Sequence, residues 1–208
     1  MRKEILSWLL AIALSGTGTA LAAEGCTVNK VLGDVQVLRN GQKMPAKEND
    51  LLKKGDSLQT GPSCTADMSM NDMAGCRVLP KSQVNVMSWK PENMALSVQE
   101  GNVILRVKIL SPDSSFKVET PTAVATVRGT QFWGRVENTV PDNPVTTFAV
   151  RKGSVEILDK ASSQTFQVRT GQALDVPKTH KESPYVRAAV AEELAAMEQA
   201  EAIPAEAG

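Results

Sequence analysis

Cys26, Cys64 and Cys76, the methionines Met68, Met70 and Met73, and a single histidine, His180, are the side chains best suited to chemistry. A Ser/His/acid or Cys/His nucleophile needs a base beside it, and His180 falls in a polar linker outside the strand-rich body. Catalysis by that route is not expected. Sulfur ligands suit a cuprous ion, but Met68 and Met70 share one face of an alternating strand, where methionine fills core, and a disulfide would withdraw the cysteines. No metal or cofactor is expected. Asp67, Asp72, Glu100 and Glu119 sit at alternating or turn positions typical of solvated faces, and no spacing singles out an acid–base pair. The chain reads as a non-enzyme.

The stretch that would position a binding site is Thr120 to Gly134. Pro121 cannot donate to a ladder and pushes Thr120 to an extended conformation, so one strand ends there and another begins. Ala123 to Val127 are small or β-branched on both alternating faces, which predicts an interior strand covered on each side. Gly129 is placed for a bulge or a positive φ between Arg128 and Thr130. Arg128, beside a glycine break in a buried strand, is read as pairing with a carboxylate or with loop carbonyls to hold layers in register. Phe132 and Trp133 point to opposite faces, so with Phe132 in the core Trp133 is a candidate partner contact or is covered by a C-terminal helix. Trp89 presents the same choice.

With 208 residues and 42% apolar content, one domain plus appendages is expected. Lys plus Arg and Asp plus Glu balance at 23 each, so no overall field favours nucleic acid or an anionic membrane. Arg2 and Lys3, the apolar run Ile5 to Leu14 and the small-x-small site Ala20-Leu21-Ala22 read as a signal peptide, residues 1–22. Export predicts a compartment that permits disulfides. Cys64 precedes the strand Ala66 to Met70 and Cys76 opens the next after a turn at 71–75, so a Cys64–Cys76 bridge is the favoured pairing. Cys26 is left unpaired or for an intermolecular bond.

Gly33-Asp34-Val35-Gln36-Val37, Gly101-Asn102-Val103-Ile104-Leu105 and Gly153-Ser154-Val155-Glu156-Ile157 share one theme: glycine, a small polar residue, then an apolar strand. Similar β-units stacked on one another are expected across 23–176, followed by a linker at 177–183. Ser183-Pro184 reads as a helix start, and Val186, Val190, Leu194 and Met197 fall on one face. A helix is expected over 184–203, with a tail at 204–208. Val190 and Leu194 are candidate partner contacts, and self-association through this helix is an alternative to packing on the body.

The order of these motifs resembles the FecR-type periplasmic domain. The residues that carry the likeness are Gly33 to Val37, Gly55-Asp56-Ser57-Leu58-Gln59-Thr60-Gly61, Gly101-Asn102-Val103, Thr120-Pro121, Val127-Arg128-Gly129-Thr130-Gln131-Phe132 and Gly153-Ser154-Val155. The resemblance implies an all-β module, a two-layered twisted β-solenoid or sandwich, lying in the periplasm. In the family's well-known members that module relays a signal from an outer-membrane iron-siderophore receptor to a cytoplasmic sigma factor. Here the expectation is a stand-alone exported binding or scaffold module that interacts with another envelope protein and has no transmembrane span after processing. Signalling input and cell-wall glycan binding are the alternatives.

Overall fold

A computed structural model describes residues 25–139, 142–179, 183–198 and 202–203. The expected signal peptide, His180 and the tail 204–208 lie outside the described residues.

The body is two β-layers joined by one long strand. The first layer holds β1 (Cys26–Leu32), β4 (Leu51–Leu52), β6 (Thr65–Met70), β7 (Ala74–Val78), β12 (Gln131–Glu137), β13 (Val145–Lys152), β16 (Gln172–Pro177) and β17 (Arg187–Ala188). The second holds β2 (Val35–Arg39), β3 (Gln42–Pro45), β5 (Ser57–Thr60), β8 (Gln83–Ser88), β10 (Phe116–Glu119), β11 (Ala123–Val127), β14 (Ser154–Asp159) and β15 (Thr165–Arg169). β9 (Met94–Val107) belongs to both. Its first half pairs with β8 and β10, and from Gly101 onward it pairs with β7 and β12. The β9–β10 pair is parallel, whereas the other described pairings are antiparallel.

The glycine theme of the sequence falls where the chain changes layer. Gly33, Gly55, Gly101, Gly129, Gly153 and Gly171 all have positive φ, and each lies at a crossing from one layer to the other. At Gly101 (φ +82) a Cβ would lie 2.5 Å from Lys81 O and from Ser82 Cα, so both torsion and space demand glycine. At Gly153 (φ +88) it would lie 2.8 Å from Gly129 O, because two corners stack there. A recurrent local motif thus encodes the layering.

Between the layers lies one apolar core. Phe132, Phe148, Leu105 and Leu174 from the first layer meet Phe116, Leu58, Leu96 and Ile157 from the second, all essentially buried. Each such side chain contributes roughly 1.5–3 kcal/mol by leaving water. β11 is interior, with β10 and β14 on its two edges. Ala123, Ala125 and Val127 enter the core, while Val124 and Thr126 are only half-buried, so one face is covered rather than the two expected. The interior position comes from edge pairing.

Two further expectations are corrected. Cys26, Cys64 and Cys76 are all free and buried. In the β6–β7 ladder Cys76 faces Met68, whereas Cys64 precedes the first residue of β6 and lies four positions away along the strand. At roughly 3.3 Å per residue that offset is about 13 Å, well past the ~7 Å a disulfide spans.

The C-terminal helix is α1 (Ala191–Glu198), and residues 183–190 before it are not helical. The cause is tertiary. Arg187 is bound by Asp175 of β16 and by Glu193, which holds Arg187–Ala188 as a strand on the β16 edge. Glu193 Oε2 also accepts the Val190 N–H at 2.8 Å, capping the helix from its third residue. Among the described residues no helix is long and apolar enough to cross a membrane.

Candidate functional site: a basic corner and a covered tryptophan

The segment from Val127 to Gly134 passes around a corner and across the outer face of the first layer. At the corner, Gly129 (φ +72) turns against Ile109, and a Cβ there would meet Ile109 Cγ1 at 3.0 Å. Buried Thr130 fastens the turn: its hydroxyl donates to Ser154 O at 2.9 Å and its carbonyl accepts from Val107 N at 2.9 Å. Arg128 is exposed, and its Nε donates to Leu110 O at 3.4 Å, a loop carbonyl being one of its two expected partners. The chain turns outward immediately after Val127, so the guanidinium never enters the core.

Beside this corner is a cavity of about 350 Å³ lined by Arg106, Val107, Lys108, Ile109, Gly129, Thr130, Gln131 and Lys152. Three of those side chains are cationic and none is a carboxylate. Ile109 is 89% exposed at its rim. Converging like charges beside an apolar side chain favour an anionic, partly apolar ligand over water. The sequence reading missed Arg106, Lys108, Ile109 and Lys152. They come from two strands and a loop, and only the corner brings them together.

Past the corner Phe132 turns into the core and Trp133 turns out. Trp133 is nonetheless 3% exposed, because α1 and Ile203 lie over it. It packs with Ile104, Ala149, Ala173, Met197 and Ile203, and the Arg135 guanidinium sits 5.0 Å from its ring centre. Among the described residues Trp133 Nε1 and Arg135 Nε have no hydrogen-bond partner. Val190 and Leu194, the other candidate contacts, are 52% and 41% exposed. Arg106 links cavity and platform, since its Nη1 donates to Ile203 O at 3.4 Å.

The C-terminal segment is held by one cation between two acids. The Arg187 guanidinium bonds Asp175 at 2.7 and 3.0 Å and Glu193 at 3.0 and 2.7 Å. Bonds from Glu193 and then Asp175 push the Arg187 pKa up. Burial alone would raise the Asp175 carboxyl, but the Arg187 and Thr147 hydrogen bonds outweigh it and hold Asp175 below the usual carboxylate range.

Thr120 and Pro121 do a different job. Thr122 Oγ1 donates to Thr146 Oγ1 at 2.6 Å, Thr146 to Thr120 at 2.9 Å, and Thr120 to Ala123 O at 3.1 Å. This buried hydroxyl chain ties the β10–β11 turn to β13 in the opposite layer. The sulfur residues form no comparable cluster at the surface. Cys26 Sγ lies 3.8 Å from Met68 Sδ inside the core, and burial pushes the Cys26 thiol up to about 12 and the Cys76 thiol well above its ordinary value.

Residues 56–156 match the family described as FecR protein. Among solved structures the chain is similar to a candidate anti-sigma factor from Parabacteroides distasonis ATCC 8503, seen in two crystal structures, with TM-scores of 0.58 and 0.57 and 14% identity in each. The likeness covers 69% of this chain and 64% of that one, so the chain spans somewhat under two thirds of that relative's length. At that identity the likeness concerns the fold. No curated protein matches the chain. With the corner motif, the layered β-body and the family match in agreement, residues 56–156 form a FecR-type domain.

Proposed function

We propose that this is an exported, non-catalytic FecR-type module of a signalling or regulatory assembly, and that it binds another envelope protein through the basic corner. The family match supports the regulatory reading, and the leader-like residues 1–22 support export. The observation that carries the binding site is the cavity in which Arg106, Lys108 and Lys152 converge beside exposed Ile109. An acidic segment with an apolar residue next to its carboxylates would pair with Arg106 and Lys152 and cover the isoleucine.

A photo-crosslinking residue at position 109 tests this in cells. The expected product is an adduct to an envelope protein through an acid-rich peptide. Its yield should fall in Lys152→Glu and with added salt, which screens exposed charges within about 10 Å at 0.1 M. Adducts to glycan strands, or protein adducts indifferent to Lys152→Glu, would overturn the reading.

A further inference from the structure

The C-terminal segment is a poor match for the face it covers. Of α1 only Glu193 and Met197 are buried, and Leu194 points away. β17 contributes two ladder residues, Arg187 and Ala188. The segment is held by buried Met197 and Ile203 and by the Arg187 bridge, in which Asp175 is 43% exposed. Beneath lies a flat apolar platform of Ile104, Trp133, Ala149 and Ala173. Arg106 and Arg135 stand around it, and Arg187, on the covering segment, reaches down to Asp175 of β16. Within it the Trp133 Nε1–H and the Arg135 Nε–H are buried with no acceptor among the described residues. A buried donor left unpaired is a standing cost that a better cover would remove.

We propose that the Trp133 platform is a second binding surface, next to the basic corner and sharing Arg106 with it. The chain's own C-terminal segment holds it shut, and it takes an amphipathic, acidic helix from a partner protein. Charge complementarity sets the partner's chemistry: carboxylates for Arg106 and Arg135, one large apolar side chain for the alanine-floored face, and an oxygen acceptor for Trp133 Nε1. The existing cover shows the mode, because Met197 already serves as the apolar anchor and Glu192 reaches Arg135 at 3.8 Å as the acid. Its second anchor position, Leu194, is turned to solvent, so a partner helix with two inward apolar residues would outcompete it.

The test uses Arg187→Met in the full chain, with a synthetic peptide copying residues 187–203 as the probe. Loss of the bridge is expected to raise hydrogen exchange at 131–137 and 187–198 while the strands of the second layer stay protected. The peptide should bind Arg187→Met roughly tenfold or more tighter than the parent, since the competing closed state is depopulated, and should restore protection at 131–137. Trp133→Ala in that background should abolish peptide binding. Where that variant fails to fold, Arg135→Ala, outside the core between the layers, should weaken it. Unchanged exchange at 131–137, or a uniform rise across the body, would show the segment to be part of the cooperative fold and overturn the proposal. A concentration-dependent dimer of Arg187→Met with protection restored would make a second copy the occupant and overturn the assignment to a partner's helix.

Discussion

Gly101→Ala is the sharpest test of the layered corner design. At φ +82 an alanine sits in the left-handed region, which costs about 1–2 kcal/mol. Its methyl would also lie 2.5 Å from Lys81 O and Ser82 Cα and closer still to Ser82 Oγ, so the neighbouring corner must move. Ser82 Oγ accepts from Asn102 N at 2.8 Å and donates to Asn102 O at 3.1 Å, and displacing it weakens two bonds worth about 0.5–1.5 kcal/mol each. The sum is about 2–5 kcal/mol. At about 2–4 °C per kcal/mol for a domain of this size, Tm should fall on the order of 10 °C in a calorimetric or circular-dichroism melt. Gly41→Ala is the control: φ is +79, but no atom lies within 4 Å of its Cβ, so only the torsional cost of about 1–2 kcal/mol applies. Equal losses at the two sites would refute the claim that close approach of two corners makes Gly101 obligatory.

Asp56→Asn should destabilise by about 2 kcal/mol, as a buried carboxylate bonded to Arg39 and to Lys53 N loses its charge. Burial raises the Asp56 carboxyl, but those bonds outweigh it and leave its pKa lowered. Its contribution is therefore complete above its ordinary 3.8 and lost as pH falls through the lower folded value, so the variant's acid limb should be flatter. Denaturation midpoints measured against pH check this. In the native protein all three thiols should react slowly with a disulfide reagent, Cys64 first as the least buried, and all three should titrate after unfolding. Recovery of a Cys64–Cys76 bridge by non-reducing mass mapping would refute the register that separates them. Thr146→Val should cost about 1–3 kcal/mol, because it removes the middle of the Thr122–Thr146–Thr120 chain and takes the acceptor from the buried Thr122 hydroxyl. A variant melting with the parent would refute that.

The layering was legible because it is written locally. Glycine, a small polar residue and an apolar strand recur at Gly33, Gly101 and Gly153, and each marks a crossing that needs positive φ. Pattern alone could not supply which strand faces which. The Cys64–Cys76 pairing failed because a turn was visible but the register was not, and a four-residue offset is decisive for a disulfide. The helix start was misplaced because helical periodicity over Val186 to Met197 competes with a contact to Asp175, distant in sequence. For Arg128 the glycine break made a loop-carbonyl partner legible, but not which loop: the turn at Gly129 brings it to Leu110 O. The basic corner escaped altogether: Arg106 and Lys152 are 46 positions apart and meet only because β9 and β13 both flank β12.

The passage of β9 through both layers has a bearing on how the chain assembles as it is made. Until Met94–Val107 has been synthesised, the preceding strands carry bare edges on β7 and β8, and those edges can be closed only by a segment that also offers edges to β10 and β12. Neither half can seal itself. A chain cut in the 108–115 connection would leave two fragments with mutually complementary open ladders, and mixing them should regenerate the native fold where either alone aggregates.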